Sequence, residues 1–162
     1  MMMSILITIL ITIIASTLFG HIVHWSLHQR WMGRFNSAHM THHIKLYPPE
    51  DYTSDVYRSA GKNSTTRFFA VAAIPLILIP VVLAITGIVS MSIAGIILVV
   101  EAVMGFLHNY IHDAFHVNNH WLNKVPGFSR WNKIHYIHHV DMTKNYGIFT
   151  FFWDRLFGTY QV

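Results

Sequence analysis

Residues 135–139 read HYIHH and residues 39–43 read HMTHH, so the pattern His-x-x-His-His occurs twice, far apart, in a chain of 162 residues. Two shorter clusters join them: HWSLH, with His24 and His28, and HDAFH, with His112 and His116. On a helix, positions i and i+4 are about 40° apart around the axis and i and i+3 about 60°. Each cluster is therefore expected to present two or three imidazoles on one face, the spacing a helix needs to give several ligands to one metal. As cations so many imidazoles would repel one another. Neutral imidazole is the commonest metal ligand, so bound metal resolves the conflict.

Ten imidazoles exceed what one ion accepts. Shared between two ions they supply about five nitrogen donors each, which leaves room for oxygen or water. Zinc usually takes four ligands in all, so the count favours a six-coordinate metal such as iron, although ligand type alone leaves zinc and copper open. No HExxH is present to make a zinc peptidase. Cysteine is absent, which removes thiolate zinc and iron–sulfur sites. Haem ligation would place the His inside apolar spans, whereas these lie outside them. His21, His108 and His120 lie one turn from the clusters, as ligands or supporting groups. Glu101 is an ionisable residue within an apolar stretch and so a functional candidate.

The elements that position these residues are greasy. Apolar residues make up 53% of the chain and charged residues only 11%, against about a quarter charged in soluble domains. The pattern predicts an all-α integral membrane protein of one domain, 1–162. About three transmembrane helices are expected, near 3–23, 68–86 and 91–110, each close to the ~20 residues that cross a bilayer. ITGIVSMS, from Ile85 to Ser92, supplies the turn of a hairpin, and Pro75 and Pro80 lie in its first helix. A cleaved signal peptide fits the amino terminus poorly, because no Lys or Arg precedes the apolar run. All 11 Lys and Arg fall in 24–67 or 108–162. The positive-inside rule then makes 24–67 and 111–162 cytosolic, a helical, histidine-rich, metal-binding cap. That orientation suits a bacterial inner membrane or the endoplasmic reticulum and leaves the sequon Asn63-Ser64-Thr65 unmodified. The net charge of +4 has no dense basic run, so nucleic acid is not an expected partner.

At these four boxes the chain resembles the fatty acid hydroxylase/sterol desaturase superfamily of membrane di-iron oxidases. The likeness continues through IHYIHHVDMTKNYGIFTFFWDRLFGTY, which is similar to that family's HxxHH, NYG and WDxxFGTY closing pattern. The resemblance implies that His24, His28, His39, His42, His43, His112, His116, His135, His138 and His139 ligate two Fe ions, with no catalytic residue beyond the ligands. Asn145, Trp153 and Asp154 become supporting positions, with His21, Glu101, His108 and His120 as further supporting candidates. It also implies O2-dependent oxidation of a lipid C–H bond: hydroxylation of a fatty-acyl, sterol or carotenoid-type substrate, with desaturation the alternative. No GxGxxG or haem-binding segment is present, so electrons are expected from a separate reductase with a ferredoxin or cytochrome. A histidine-rich metal transporter is the rival from another class. It would need polar ligands through the bilayer, where only Glu101 is available.

Overall fold

The computed structural model describes residues 2–59 and 66–162, with side chains from 71 onward in the second segment. The sequon Asn63-Ser64-Thr65 lies outside the described residues. Six α-helices follow in order: α1 Met2–Leu27, α2 Arg34–Thr41, α3 Thr66–Ile85, α4 Met91–Phe115, α5 Phe128–Val140 and α6 Phe152–Phe157. Among the described residues the only β pairing is an isolated bridge between Ser54 and Val117.

α1 and α4 are each long and apolar enough to cross a membrane. α3 is apolar over Val71–Ile85, shorter than those two in its described part. α4 packs against both α1 and α3. Their outer faces leave Leu6, Leu10, Ile14, Ile77, Leu78, Val99 and Phe106 exposed. Such a surface suits lipid, where a helix satisfies its own backbone. Thr8 and Thr12 do not break α1, because their hydroxyls each donate to the carbonyl four residues back. The hairpin turns at Gly87, whose φ of 75° suits glycine, and α4 restarts with the Ser90 hydroxyl accepting from the Ile93 amide.

α1 and α4 run further than the apolar pattern alone indicates. They end at Leu27 and Phe115 because polar faces there are buried under the other half of the chain. α2, α5, α6 and the loops between them form that cap. Two small apolar clusters flank its centre: Val23 and Leu27 with Phe19 and Phe35, and Ile111, Phe115, Phe128 and Ile148. Between them the interior is imidazole. His43, His116, His135 and His138 are completely buried.

The carboxy-terminal segment is tied down by one buried carboxylate. Asp154 accepts from the amides of Tyr146 (2.7 Å) and Gly147 (2.9 Å) and from the Thr159 hydroxyl (2.8 Å). Asn145, with φ 53°, donates to the carbonyls of Ile134 and Gln161 and accepts from the Gln161 amide. The Trp153 indole donates to Thr17 on α1 (3.0 Å). A Cβ on Gly147 would stand 2.2 Å from the Thr150 carbonyl oxygen and 2.7 Å from Asp154. Gly147→Ala is therefore expected to cost about 1–3 kcal/mol by overpacking and to lower the thermal midpoint by several degrees. Gly95→Ala, in open space on α4, should leave it unchanged; thermal unfolding in detergent compares the two.

Candidate metal centre

Two sets of imidazoles meet at the centre of the cap. The first is His24 from α1, His28 just past its end, His39 from α2, His43, and His138 from α5. The second consists of two triads that share His116: His42, His116 and His139, and His112, His116 and His135. Within each group the donor nitrogens lie within 4.8 Å of one another. The sets adjoin, with the His43 and His139 ring centroids 4.1 Å apart.

The boxes do not each serve one site, contrary to the helical-face expectation. HWSLH gives both its His to the first set and HDAFH both to the second. Each His-x-x-His-His box is divided: His39 and His43 go one way and His42 the other, and likewise His138 against His135 and His139. Adjacent residues on a helix point about 100° apart, so a His-His pair reaches two neighbouring sites from one backbone. In HMTHH the α-helix also gives way to a π-helical turn at His42–Leu46, a feature common at functional sites.

Four of the imidazoles are oriented by backbone carbonyls. The Nδ1–H of His24 donates to Tyr146 (2.7 Å), that of His138 to Lys144 (2.5 Å), that of His139 to Tyr47 (2.8 Å) and that of His116 to Tyr52 (2.9 Å). A carbonyl can only accept, so Nδ1 carries the proton and Nε2 turns its lone pair inward. Among the described residues, Nε2 of His24, His42, His116, His135 and His139 is buried without a hydrogen-bond partner. In the first set Nε2 atoms approach in series: His43 to His39 at 3.1 Å, His39 to His28 at 3.0 Å and His28 to His138 at 3.1 Å. A ring nitrogen has one in-plane site, either lone pair or proton, and cannot serve two such contacts as hydrogen bonds.

Convergent lone pairs fit a cation. Donors at right angles around a metal, with bonds of ~2.1 Å, stand about 3.0 Å apart, whereas tetrahedral donors stand about 3.4 Å apart. The observed 3.0–3.1 Å spacing matches the former. With five donors, the first set fits a five- or six-coordinate ion better than tetrahedral zinc, and the second offers two three-donor groups joined at His116.

The other expected site residues take different places. Asn145, Trp153 and Asp154 build the clamp that carries the Tyr146 carbonyl to His24. His21 is buried against Tyr146 and Phe157, its Nδ1 3.7 Å from Asp154. His120 accepts from the Leu122 amide through Nδ1 and packs on Tyr110 and Trp121. None of His21, His108 and His120 belongs to either set. Glu101 accepts a hydrogen bond from Ser16 on α1 (2.9 Å). Tyr47, Tyr52 and Lys144 were not anticipated. They act through main-chain carbonyls, which no side-chain pattern reports. Their loop has its own fastening: the Tyr47 hydroxyl accepts from the Arg58 amide, and the Arg58 guanidinium binds Asp51 and the Leu46 carbonyl.

Below the cap, between α1, α3 and α4, lies a cavity of about 400 Å³. Its wall is mostly apolar, with Phe19, Leu76, Ile77, Leu98 and Met104. His21 and His108 stand at its cap end and Ser16 and Glu101 deeper in the bundle.

Burial, and then the neighbouring imidazoles, hold His39, His42, His43, His135, His138 and His139 well below the usual histidine range. Burial alone pushes His28 down to about 4. These seven side chains are thus neutral imidazoles at neutral pH. Unfolded, the same side chains take up protons near their ordinary pKa of about 6.5. Folding is consequently unpenalised above that value and loses stability as pH falls from about 6.5 towards 4. Metal-free protein should show a thermal midpoint that is flat from pH 8 to 7 and drops steeply between pH 6.5 and 5. A flat profile to pH 5 would contradict the buried neutral cluster.

The sequence model of the fatty acid hydroxylase family matches residues 9–159. Comparisons with curated proteins and with solved structures find no match. The matched range takes in most of α1, every histidine of both sets and the Asn145–Asp154 clamp, so the chain belongs to the fatty acid hydroxylase family, within the fatty acid hydroxylase/sterol desaturase superfamily.

Proposed function

We propose that this protein is an O2-dependent di-iron oxidoreductase that hydroxylates a C–H bond of a membrane lipid. The observation that carries the reading is the gathering of ten imidazoles into one group of five and, beside it, two triads that share His116, with buried Nε2 atoms left without a hydrogen-bond partner among the described residues. Family membership supports a lipid oxidation of the hydroxylase or desaturase type. Iron suits imidazole donors at near-right-angle spacing, and when bound it supplies the O2 activation and electron storage that no protein side chain provides.

The chain's own residues have three tasks in this scheme. The carbonyls of Tyr47, Tyr52, Lys144 and Tyr146 keep their imidazoles in the Nδ1–H tautomer, so each presents a neutral donor nitrogen. The buried packing of Tyr47, Phe115 and Leu27 around the sets excludes bulk water, which protects a reactive centre from side reactions. The apolar cavity under the cap offers a lipid chain a route to the centre from inside the membrane, with Ile148, Phe149 and Thr150 at its upper wall. Electrons come from a separate donor, a reductase with a ferredoxin or cytochrome, approaching from the cap side.

In this reading α3 is a third span beside α1 and α4, and the cap faces the cytosol. The support is the confinement of all Lys and Arg to 24–67 and 108–162. The native chain has no cysteine, so single-cysteine variants report topology directly. Asn119→Cys is expected to react with an impermeant maleimide only from the cytosolic side, and Ile88→Cys only from the opposite side. Labelling of both from one side would overturn the three-span topology.

His138→Ala removes a donor from the first set and His42→Ala one from the second. Each is expected to lower iron below two per chain and to reduce turnover more than a hundredfold, beyond the 10–100-fold typical of losing a residue that merely orients a ligand. His120→Ala should retain both iron and activity. The measurements are iron content by mass spectrometry and lipid analysis of cells with and without the gene, scored for species gaining one oxygen. Species losing two hydrogens instead would make the enzyme a desaturase, and full iron with full turnover in both alanine variants would refute the assignment.

A further inference from the structure

The scheme above leaves one group unused. Glu101 stands ten residues into α4, in the middle of an apolar helix, and lines the cavity under the cap. A carboxyl at that depth is costly to place and marks function by default. Its one hydrogen bond among the described residues comes from Ser16 to a single oxygen, Oε2. Joining α1 to α4 would not require it. A serine or threonine could accept from Ser16 at far less cost, and the packing of α1 on α4 already joins the helices. A carboxyl group offers about four acceptor positions, so one serine leaves most of that capacity unused, on a residue that faces an otherwise greasy cavity.

Geometry sets what can use it. Glu101 is eleven residues from His112 and Ser16 eight from His24, about 16 Å and 12 Å at helical rise. The cavity runs between these levels, from Leu98, Glu101 and Ser16 up to Asn109, His21 and Thr150. A ligand long enough to reach from the floor to the cap is a lipid chain. The group it sets against Glu101 must be able to hydrogen-bond, because a carboxyl oxygen is left open there. A hydroxyl meets that need in either protonation state, since it both donates and accepts, whereas a hydrocarbon end leaves the carboxyl oxygen unpaired in an apolar wall. Burying an unpaired polar group is what makes sites built for a hydroxyl reject analogues without one.

We propose that Glu101 is a specificity-determining residue which, braced by Ser16, accepts a hydrogen bond from the hydroxyl of a long apolar lipid alcohol held in the cavity, with the opposite end of that lipid at the metal centre. The proposal rests on the reading that a lipid enters from below the cap, and it narrows the substrate to one that already carries a hydroxyl about 16 Å from the carbon to be oxidised. A reaction installing or exposing that hydroxyl must therefore precede this one.

Binding tests this without turnover. The full chain in nanodiscs is irradiated with a diazirine-bearing hexadecanol or with the matching diazirine-bearing hexadecane, and labelled peptides are mapped by mass spectrometry. The alcohol is expected to label the α1 and α4 segments around Ser16–Gly20 and Leu98–Gly105 at least tenfold more than the alkane. Glu101→Leu should bring the alcohol down to the level of the alkane, and Glu101→Gln, which keeps an acceptor oxygen, should retain most of the preference. Equal labelling of wild type by the two probes would overturn the proposal. So would an unchanged alcohol preference in Glu101→Leu with wild-type helicity and iron content. If Glu101→Leu fails to fold, the wild-type ratio and the Glu101→Gln variant still decide the matter. The result is independent of catalysis: alcohol-selective labelling in a protein that oxidises no lipid would sink the oxidase reading and leave this one standing.

Discussion

Four hydrogen bonds from imidazole to main chain decide what this protein can do. Each runs from a histidine Nδ1–H to a carbonyl, and each therefore turns a bare nitrogen towards the centre of the cap. Without them, buried neutral imidazoles would be free to choose either tautomer, and some would present protons where donors are needed. The carbonyls come in pairs from two loops. Tyr47 and Tyr52 serve the second set, and Lys144 and Tyr146 serve the first. Much of the remaining cap has the task of fixing those loops. Arg58 and Asp51 brace the first; Asp154, Asn145 and Thr159 brace the second.

This reverses the usual relation between core and site. In most domains an apolar core supports a polar site on a loop or cleft. Here the cap's interior is itself the site, since its most buried residues are imidazoles, with only small apolar clusters on either side. Such an interior is stable only if its polar atoms are satisfied, because each unpaired buried donor or acceptor carries a desolvation cost. Part of that satisfaction is main-chain hydrogen bonding. The remainder is a set of buried Nε2 atoms without a hydrogen-bond partner among the described residues, a donor set that cations fit. Metal binding and cap stability are on this view linked, as they are wherever ligands converge on an ion.

The membrane helices contribute position more than chemistry. α1 and α4 carry His24, His112 and His116 at the ends of apolar spans, which holds the centre close above the lipid-facing bundle. The same two helices wall the cavity that leads down from His21 and His108 to Ser16 and Glu101. Continuing each helix past its apolar stretch places donors and apolar cavity on one rigid rod, so the distance between them is set by helical rise rather than by a flexible loop.

The sequence alone determined the parts that depend on residue type and local spacing. Four histidine boxes, the apolar runs of α1 and α4, the confinement of the basic residues to two segments and the NYG and WD pattern were all legible, because imidazole chemistry, bilayer thickness and helical periodicity act over a few residues. It also signalled that ten imidazoles were too many for one ion. What it could not give was the division of those ten. HWSLH and HDAFH each place both their His in one group, whereas HMTHH and HYIHH are each divided between groups. His42 and His43 are neighbours in the chain, yet the set of His42 is completed from α4 and α5 and that of His43 from α1, α2 and α5. Equally hidden were the carbonyl partners, since a main-chain oxygen is the same on every residue and only folding brings Tyr146 to His24 across 122 positions. Local chemistry is written in the chain, but which lone pairs share a centre is decided by long-range contacts, and those exist only in the tertiary structure.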